Sequence, residues 1–233
     1  MMDVLTFNGQ SLADFHTFWD GKDLFISPEK DVTFYEIPGR NGEVSVSNNR
    51  YKAKEIPINC FIKENFKQNY PALIDFLYSQ DGYGRLENSK EPDIYQKACF
   101  VASIEPNTGA FLKYADFVMT FKVYPQKWLK QGEIPITISN SISVVNPTHQ
   151  PSKPLFEVVG TGSITINSTS VLTLSQNTST TVIDCEIEDA YEGSINRNGD
   201  LTILGGFPVL TTTNEIVVSG FTSVKLYPRW WRL

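Results

Sequence analysis

The chain has 233 residues and a mass of 26.3 kDa, enough for one large domain or two modest ones. Its 41% hydrophobic and 20% charged residues are ordinary for a globular protein and exclude wholesale disorder. A net charge of -6 and a pI near 5.0 leave no basic excess to neutralise phosphates, which disfavours direct nucleic-acid binding.

The opening segment MMDVLTFNGQSLADF has neither a basic start nor a continuous apolar run, so no signal peptide is expected and folding in a cytoplasm is. VLTFNG and DLFIS read as short strands. DVTFYEIPGRNGEVSV follows, with apolar positions tending to alternate and Asn41-Gly42 as a turn signal, because both residues tolerate positive φ. EIPINCFI alternates Ile56, Ile58, Cys60 and Ile62 on one face, the period of a half-buried strand.

FKQNYPALIDFLYSQ is the helix candidate. Phe66, Tyr70, Leu73 and Leu77 form one apolar stripe, with Asn69 expected as the cap and Pro71 in the first turn. Beyond Asp81-Gly82, YGRLENS, KACFVASIE and AFLKYADFVMTFKVYP resemble strands. The last of these alternates Phe117, Met119, Phe121 and Val123.

From about residue 134 the aromatics and charges thin out while Ser, Thr and Asn rise. PITISNSISVVNPTHQPSKP reads as a linker plus an edge strand. LFEVVG, SITINS, VLTLS, TVIDCEI, LTILGG, EIVVSG and TSVKLYP then recur with turn residues between them, the cadence of a β-sandwich or barrel. The expected fold class is therefore mainly β, with domains at residues 1–133 and 134–233.

Little in this chain can carry catalysis. His16 and His149 stand apart from any acidic or cysteine partner at metal-ligand spacing, and there is no nucleophile elbow, P-loop or dinucleotide fingerprint. Cys60, Cys99 and Cys185 lack zinc spacing and read as small buried hydrophobes. Asp184, Glu186 and Glu188 invite a glycosidase reading. Strand alternation instead puts them on one wet face opposite Ile183, Cys185 and Ile187. The sequons at Asn167 and Asn177 read as polar turns. Trp19, Trp128, Trp230 and Trp231 can serve as core, as subunit interface or as sugar-stacking platforms. Trp230 and Trp231 point to opposite faces of a final strand, one inward and one free to meet a neighbour. No cofactor or metal is expected, and no stretch reaches the ~18 apolar residues that span a bilayer.

Several segments together resemble the distal tail protein family of long-tailed phages (siphophages) that infect Gram-positive bacteria. They are EIPGRNGEVSVSNNRY, NYPALIDFLYSQDGYGRLENSKEPDIYQKACF, TFKVYPQKWLKQGE, NPTHQPSKPLFEVVGTGSITIN, IDCEIEDAYEGSINRNGDLTI and VKLYPRWWRL, in register over nearly the whole chain. The resemblance implies an N-terminal β-sandwich with a helix and a long β-hairpin, then a galectin-like β-sandwich. It implies a non-enzymatic virion structural protein of the tail tip or baseplate, assembled as a homo-hexameric ring that joins tail tube protein to the tail-associated lysin or tail fibre protein. A receptor-binding protein or its adaptor is a further implied partner, and DNA passes through the lumen without being bound. Synthesis is expected in the bacterial host cytoplasm. Pro38, Gly39, Arg40, Asn41 and Gly42 match the family's PGRNG turn and, with Trp230 and Trp231, are the candidate ring or partner contacts. Gly82 and Gly84 are expected to make a tight turn, with Arg85 paired to a carboxylate of its own domain. A two-domain chain without an inserted module makes a built-in sugar-binding insertion unexpected. The alternative is a carbohydrate-binding adhesin that uses its C-terminal sandwich on host cell-wall polymers.

Overall fold

The structure, a computed structural model, describes residues 3–22, 26–176 and 179–233. Most of the strand expected at DLFIS, and Asn177 and Thr178 of the second sequon, lie outside the described residues. The chain divides into two compact units, Met1–Lys127 with Leu233, and Trp128–Arg232.

The first unit is built from β1 (Leu5–Phe7), β2 (Gln10–Ser11), β3 (Thr17–Trp19), β4 (Lys30–Glu36), β5 (Glu43–Tyr51) and β6 (Lys54–Ile62). The helix α1 (Phe66–Tyr78) follows, then β7 (Gly84–Asn88), β8 (Ile94–Phe100), β9 (Asn107–Thr108) and β10 (Ala115–Leu129). One sheet runs in the order β2-β1-β7-β8-β10-β6-β3, with β9 also on β10, while among the described residues β4 and β5 pair only with each other. β6 and β10 are antiparallel from Ala115↔Ile62 to Val123↔Lys54. Strict alternation makes Ile56, Ile58, Cys60 and Ile62 face Phe117, Met119, Phe121 and Val123 in one core with Leu73 and Leu77 of α1. Phe7 from β1 meets Phe121 edge-on at 5.2 Å between ring centroids, which ties the far strand to the same core.

The N-cap lies four residues before the expected one. Asn65, left-handed at φ 53°, is the N-cap, and Pro71 lies inside the helix. The early start follows from Phe66, which is buried, stacks on Tyr70 at 4.9 Å and donates its amide to Lys113 O at 3.2 Å. The amides of Gln68 and Asn69 both find Asn65 O at 3.0 Å, so the first turn is satisfied by backbone. Asn69 instead donates its side chain back to Glu64 O at 2.9 Å.

The second unit has β11 (Ile136–Ile138), β12 (Ser141–Val145), β13 (Leu155–Val159), β14 (Gly162–Ile166), β15 (Ser170–Leu174) and β16 (Thr180–Asp184). It continues with β17 (Asp189–Glu192), β18 (Ile195–Asn196), β19 (Leu201–Leu204), β20 (Thr213–Ser219), β21 (Ser223–Tyr227) and β22 (Trp231–Arg232). Two sheets, β11-β21-β13-β16-β17-β18 and β12-β20-β14-β15-β19, supply alternate side chains to one core, among them Phe156, Val158, Ile183 and Leu226 from the first and Ile164, Leu172 and Ile216 from the second. The mainly-β expectation is borne out.

Pro71 sits in the second turn of α1 on an exposed position, where its ring removes the hydrogen bond to Lys67 O. Pro71→Ala restores that donor, and the expected result is a gain of about 1 kcal/mol or more in urea unfolding. An unchanged or lower midpoint contradicts this account.

Candidate assembly surface

Among the described residues, the hairpin β4–β5 is an element that its own unit leaves largely uncovered. Its register runs from Val32↔Ser47 to Glu36↔Glu43, with a bulge after Lys30. Thr33, Tyr35, Val44 and Val46 share one face, while Phe34 lies on the other. Phe34 is 59% and Tyr35 56% exposed, and Ile37 and Val46 are exposed beside them. A lone two-stranded hairpin is marginal in water, and apolar side chains on both its faces signal contact with another surface.

The expected turn exists but is longer than an Asn-Gly pair would make it. Ile37, Pro38, Gly39 and Arg40 form a type II turn, closed by Arg40 N–H to Ile37 O at 3.1 Å, with Gly39 at φ 81°. Pro38 presets the first central position, and Gly39 supplies the positive φ that the second demands. Gly42 is also left-handed at φ 79°, whereas Asn41 is not among the positive-φ residues. The chain therefore turns over the six residues 37–42, and all five candidate residues Pro38, Gly39, Arg40, Asn41 and Gly42 are exposed at the tip.

Polar pairs hold the base. Arg50 Nε donates to Asp31 at 2.5 Å and keeps that carboxyl below the usual carboxylate value; Lys52 meets Glu29 at 3.2 Å. Just beyond, Lys54 is buried and donates its Nζ to Ile26 O at 2.6 Å, while Lys127 pairs with Glu91 at 2.7 Å. Burial, with help from the Lys127 charge and opposition from Glu91, pushes Lys54 down to about 8.

The segment 82–86 places its glycines as expected. Gly82 has φ 69°, and a Cβ on Gly84 would overlap the Asn8 side chain, whose Oδ1 accepts the Arg85 amide at 2.8 Å. Arg85 pairs with Glu87 and lies over the Tyr95 ring at 3.8 Å.

The C-terminal segment packs inward. Trp230 is 5% exposed, in the core of the second unit, and so offers no side-chain surface for an interface. Trp231 is half-buried and donates Nε1 to Pro151 O at 3.0 Å. Arg229, left-handed at φ 54°, grips Asp184 through two bonds of 2.6 and 2.8 Å and donates its amide to Gly132 O at 2.9 Å. Ser152 Oγ closes on Pro228 O at 2.8 Å.

That clasp corrects the wet-face reading of the acidic group. β16 ends at Asp184, and the following residues form turns, so strand alternation does not continue; Asp184 is buried and Ile187 exposed. Burial raises the Asp184 carboxyl, but bonds from Arg229 and the Glu186 amide outweigh it and hold it below its usual value. A glycosidase acid needs the opposite shift. His16 pairs with Glu64 at 3.0 Å while His149 is exposed in the second unit, and the described residues contain no group of three or more His, Cys, Asp or Glu arranged to hold a metal. Cys60 and Cys185 are buried, and burial pushes both thiols up, Cys185 to about 12. No helix among the described residues is long and apolar enough to cross a membrane. Sequence reasoning missed the apolar loop 109–114, whose exposed Phe111 and Leu112 show in no periodic pattern.

Comparison with known proteins bears on the fold and on the segment that carries the hairpin. Residues 16–123, which contain the hairpin, match the family model described as a phage tail protein RIFT-related domain. No curated protein sequence matches the chain. The fold is similar over 100% of both chains to the crystal structure of SPP1 Dit (gp 19.1), described as a paradigm of the hub adsorption apparatus in phages infecting Gram-positive bacteria. The TM-score is 0.73 at 14% identity. It is also similar to a chain of the phage P2 baseplate in its activated conformation with Ca, over 97% of both chains, with a TM-score of 0.55 at 9% identity. The resemblance to distal tail proteins drawn from the sequence is borne out.

Two outcomes follow. Lys54 has a folded value near 8 against an ordinary 10.5, so between those values the unfolded chain holds more protons and stability from this group rises with pH. The buried thiols act oppositely above pH ~9, so the comparison is with the parent chain: Lys54→Met should show a smaller rise (or a steeper fall) in Tm from pH 8 to 10. Arg229→Ala strands the buried Asp184 carboxylate, and a loss of about 2–4 kcal/mol in denaturant unfolding is expected. A loss under ~0.5 kcal/mol would mean that the clasp is not holding the second unit.

Proposed function

We propose that this protein is a non-enzymatic hub of a siphophage tail tip or baseplate, built as a distal tail protein whose first unit assembles into a homo-hexameric ring. The observation that carries the reading is the isolated hairpin β4–β5, with Phe34, Tyr35, Ile37 and Val46 exposed in a segment that matches a phage tail domain. In the ring the hairpin lies against the adjacent copy, and its tip at Pro38 to Gly42 meets the next component along the tail axis.

The partners that fit are tail tube protein on one side and the tail-associated lysin or tail fibre protein on the other. The second unit, a galectin-like sandwich, faces outward and takes a receptor-binding protein or its adaptor through Trp231 and neighbouring surface. DNA passes through the lumen, and a net charge of -6 with no basic excess suits a channel that must not retain it. The protein is made in the host cytoplasm and resides in the virion.

The adhesin reading has less support. Sugar stacking needs exposed aromatic faces, and the exposed large apolar side chains of the second unit, such as Val145, Ile187, Ile195, Leu204 and Val217, are aliphatic.

The test is the solution mass of the purified full chain, with negative-stain imaging. Six copies weigh 6 × 26.3 = 157.8 kDa and should appear as six-fold rings with a central channel. The double variant Phe34→Ser, Tyr35→Ser should raise the concentration for half-assembly about tenfold or more while leaving the monomer folded. A chain that stays at 26.3 kDa up to millimolar concentration, and binds cell-wall polymer instead, overturns the proposal.

A further inference from the structure

Phe111 and Leu112 are consecutive left-handed residues, at φ 58° and 53°, in the loop between β9 and β10. Side chains with a Cβ rarely adopt this backbone, and bulky apolar ones least of all. Such conformations persist where surrounding structure enforces them, and they gather at functional contacts. The enforcement here is visible. Gly109 N–H donates to Tyr114 O at 3.0 Å, Leu112 N–H to Gly109 O at 3.2 Å, and Lys113 O accepts from Phe66 at the start of α1 at 3.2 Å. Gly109 lies so close to the Tyr114 ring that a Cβ there would overlap it. The loop is thus a closed, anchored knob, and what it presents is apolar: Phe111 is 88% and Leu112 40% exposed. The described residues of its own unit leave the Phe111 ring in water.

The same unit carries a matching recess. On the outer face of β6 and β10, Phe61 and Val118 help line a groove of about 630 Å³ rimmed by the carboxylates of Asp20, Glu105 and Asp116. Phe18, paired with Phe61 on β3, lies beside it with ring centroids 5.8 Å apart. Asp20 is engaged by the Asn59 amide at 3.2 Å and loosely by Lys22 at 3.9 Å; Glu105 and Asp116 are exposed. Grooves of roughly 300–1,000 Å³ accommodate whole small ligands, so the volume suffices for the Phe111 and Leu112 side chains. Charge selects the same occupant: Lys113 follows the knob directly and is exposed, opposite in sign to the rim. Knob and groove are different surfaces of one chain, and Phe111 does not fill its own groove. The groove is lined in part by Asn107 and Asp116, the pair at the base of the same loop, and a one-way union of the knob of one copy with the groove of the next is heterologous, the kind of contact that can close into a ring.

We infer that the Phe111 loop of one copy seats in the Phe61–Val118 groove of the next, with Lys113 against Glu105 and Asp116. This contact rests on the ring reading and specifies a second, independent seam in it beside the hairpin.

The test uses the full chain with Cys99→Ser, which leaves only the buried native thiols Cys60 and Cys185. Phe111→Cys and Val118→Cys are made singly and together and exposed to a mild oxidant. The double variant should give a ladder of disulfide-linked species up to six chains on a non-reducing gel. An equal mixture of the single variants should stop at dimers, and neither alone should link. Independently, Lys113→Glu should raise the concentration for half-assembly about tenfold, and adding Asp116→Lys should restore it. Rings of 157.8 kDa without any link, or linking by Phe111→Cys alone, overturn the knob-and-groove contact and leave the hub reading standing. A parent chain that remains at 26.3 kDa overturns both.

Discussion

The pairing of β6 with β10 sets the constraint on which the first unit depends. Nine residue pairs hold these strands in register, and every second one places an apolar side chain in the core. A slip by one residue would turn Ile56, Ile58, Cys60 and Ile62 to water and bring Glu55, Asn59 and Phe61 inward, so the register has no near-degenerate competitor. The cost is concentrated at one end, where the register brings Lys54 opposite Val123 and buries it. There the chain tolerates a partly desolvated ammonium held by a carbonyl, because the alternation of the other eight pairs outweighs it. The same strictness gives the outer face its character. Phe61 and Val118, excluded from the core by parity, are left to line the groove.

Period-two alternation was readable directly, and so β6 and the middle of β10 were legible in the sequence, as was the apolar stripe of α1. What local pattern could not show was where those elements begin. The helix starts at Phe66 because a distant carbonyl, Lys113 O, receives its amide and because the ring is buried; Asn69 looks a better cap only when tertiary partners are ignored. The hairpin turn was placed correctly, but Pro38-Gly39 makes the tight turn, and Asn41 does not take the positive φ it tolerates.

The candidate surface was legible in part. Pro38 to Gly42 were recognisable, and they do lie exposed at the tip. Trp230 was one of two aromatics that parity sends to opposite faces, and the core took it. The acidic run misled because Asp184 looks like one of several solvated carboxylates, while its partner Arg229 is 45 residues away. Phe111 and Leu112 were invisible in principle, since no sequence rule assigns two successive large apolar residues to left-handed backbone.

The two units differ in how completely they satisfy themselves. The second closes its sandwich with its own terminus: Trp230 fills the core, Arg229 neutralises Asp184, and Ser152 and Trp231 tie the segment down. Its remaining exposed apolar groups are scattered aliphatics, the ordinary condition of a stable surface. The first unit keeps a hairpin with apolar groups on both faces and a rigid knob ending in Phe111, although each could be made polar without touching the core. Exposed apolar groups on strained or marginal backbone work against the stability and solubility of a lone chain. Burial of these groups against other chains would remove that cost, and a ring of the kind proposed above would supply it.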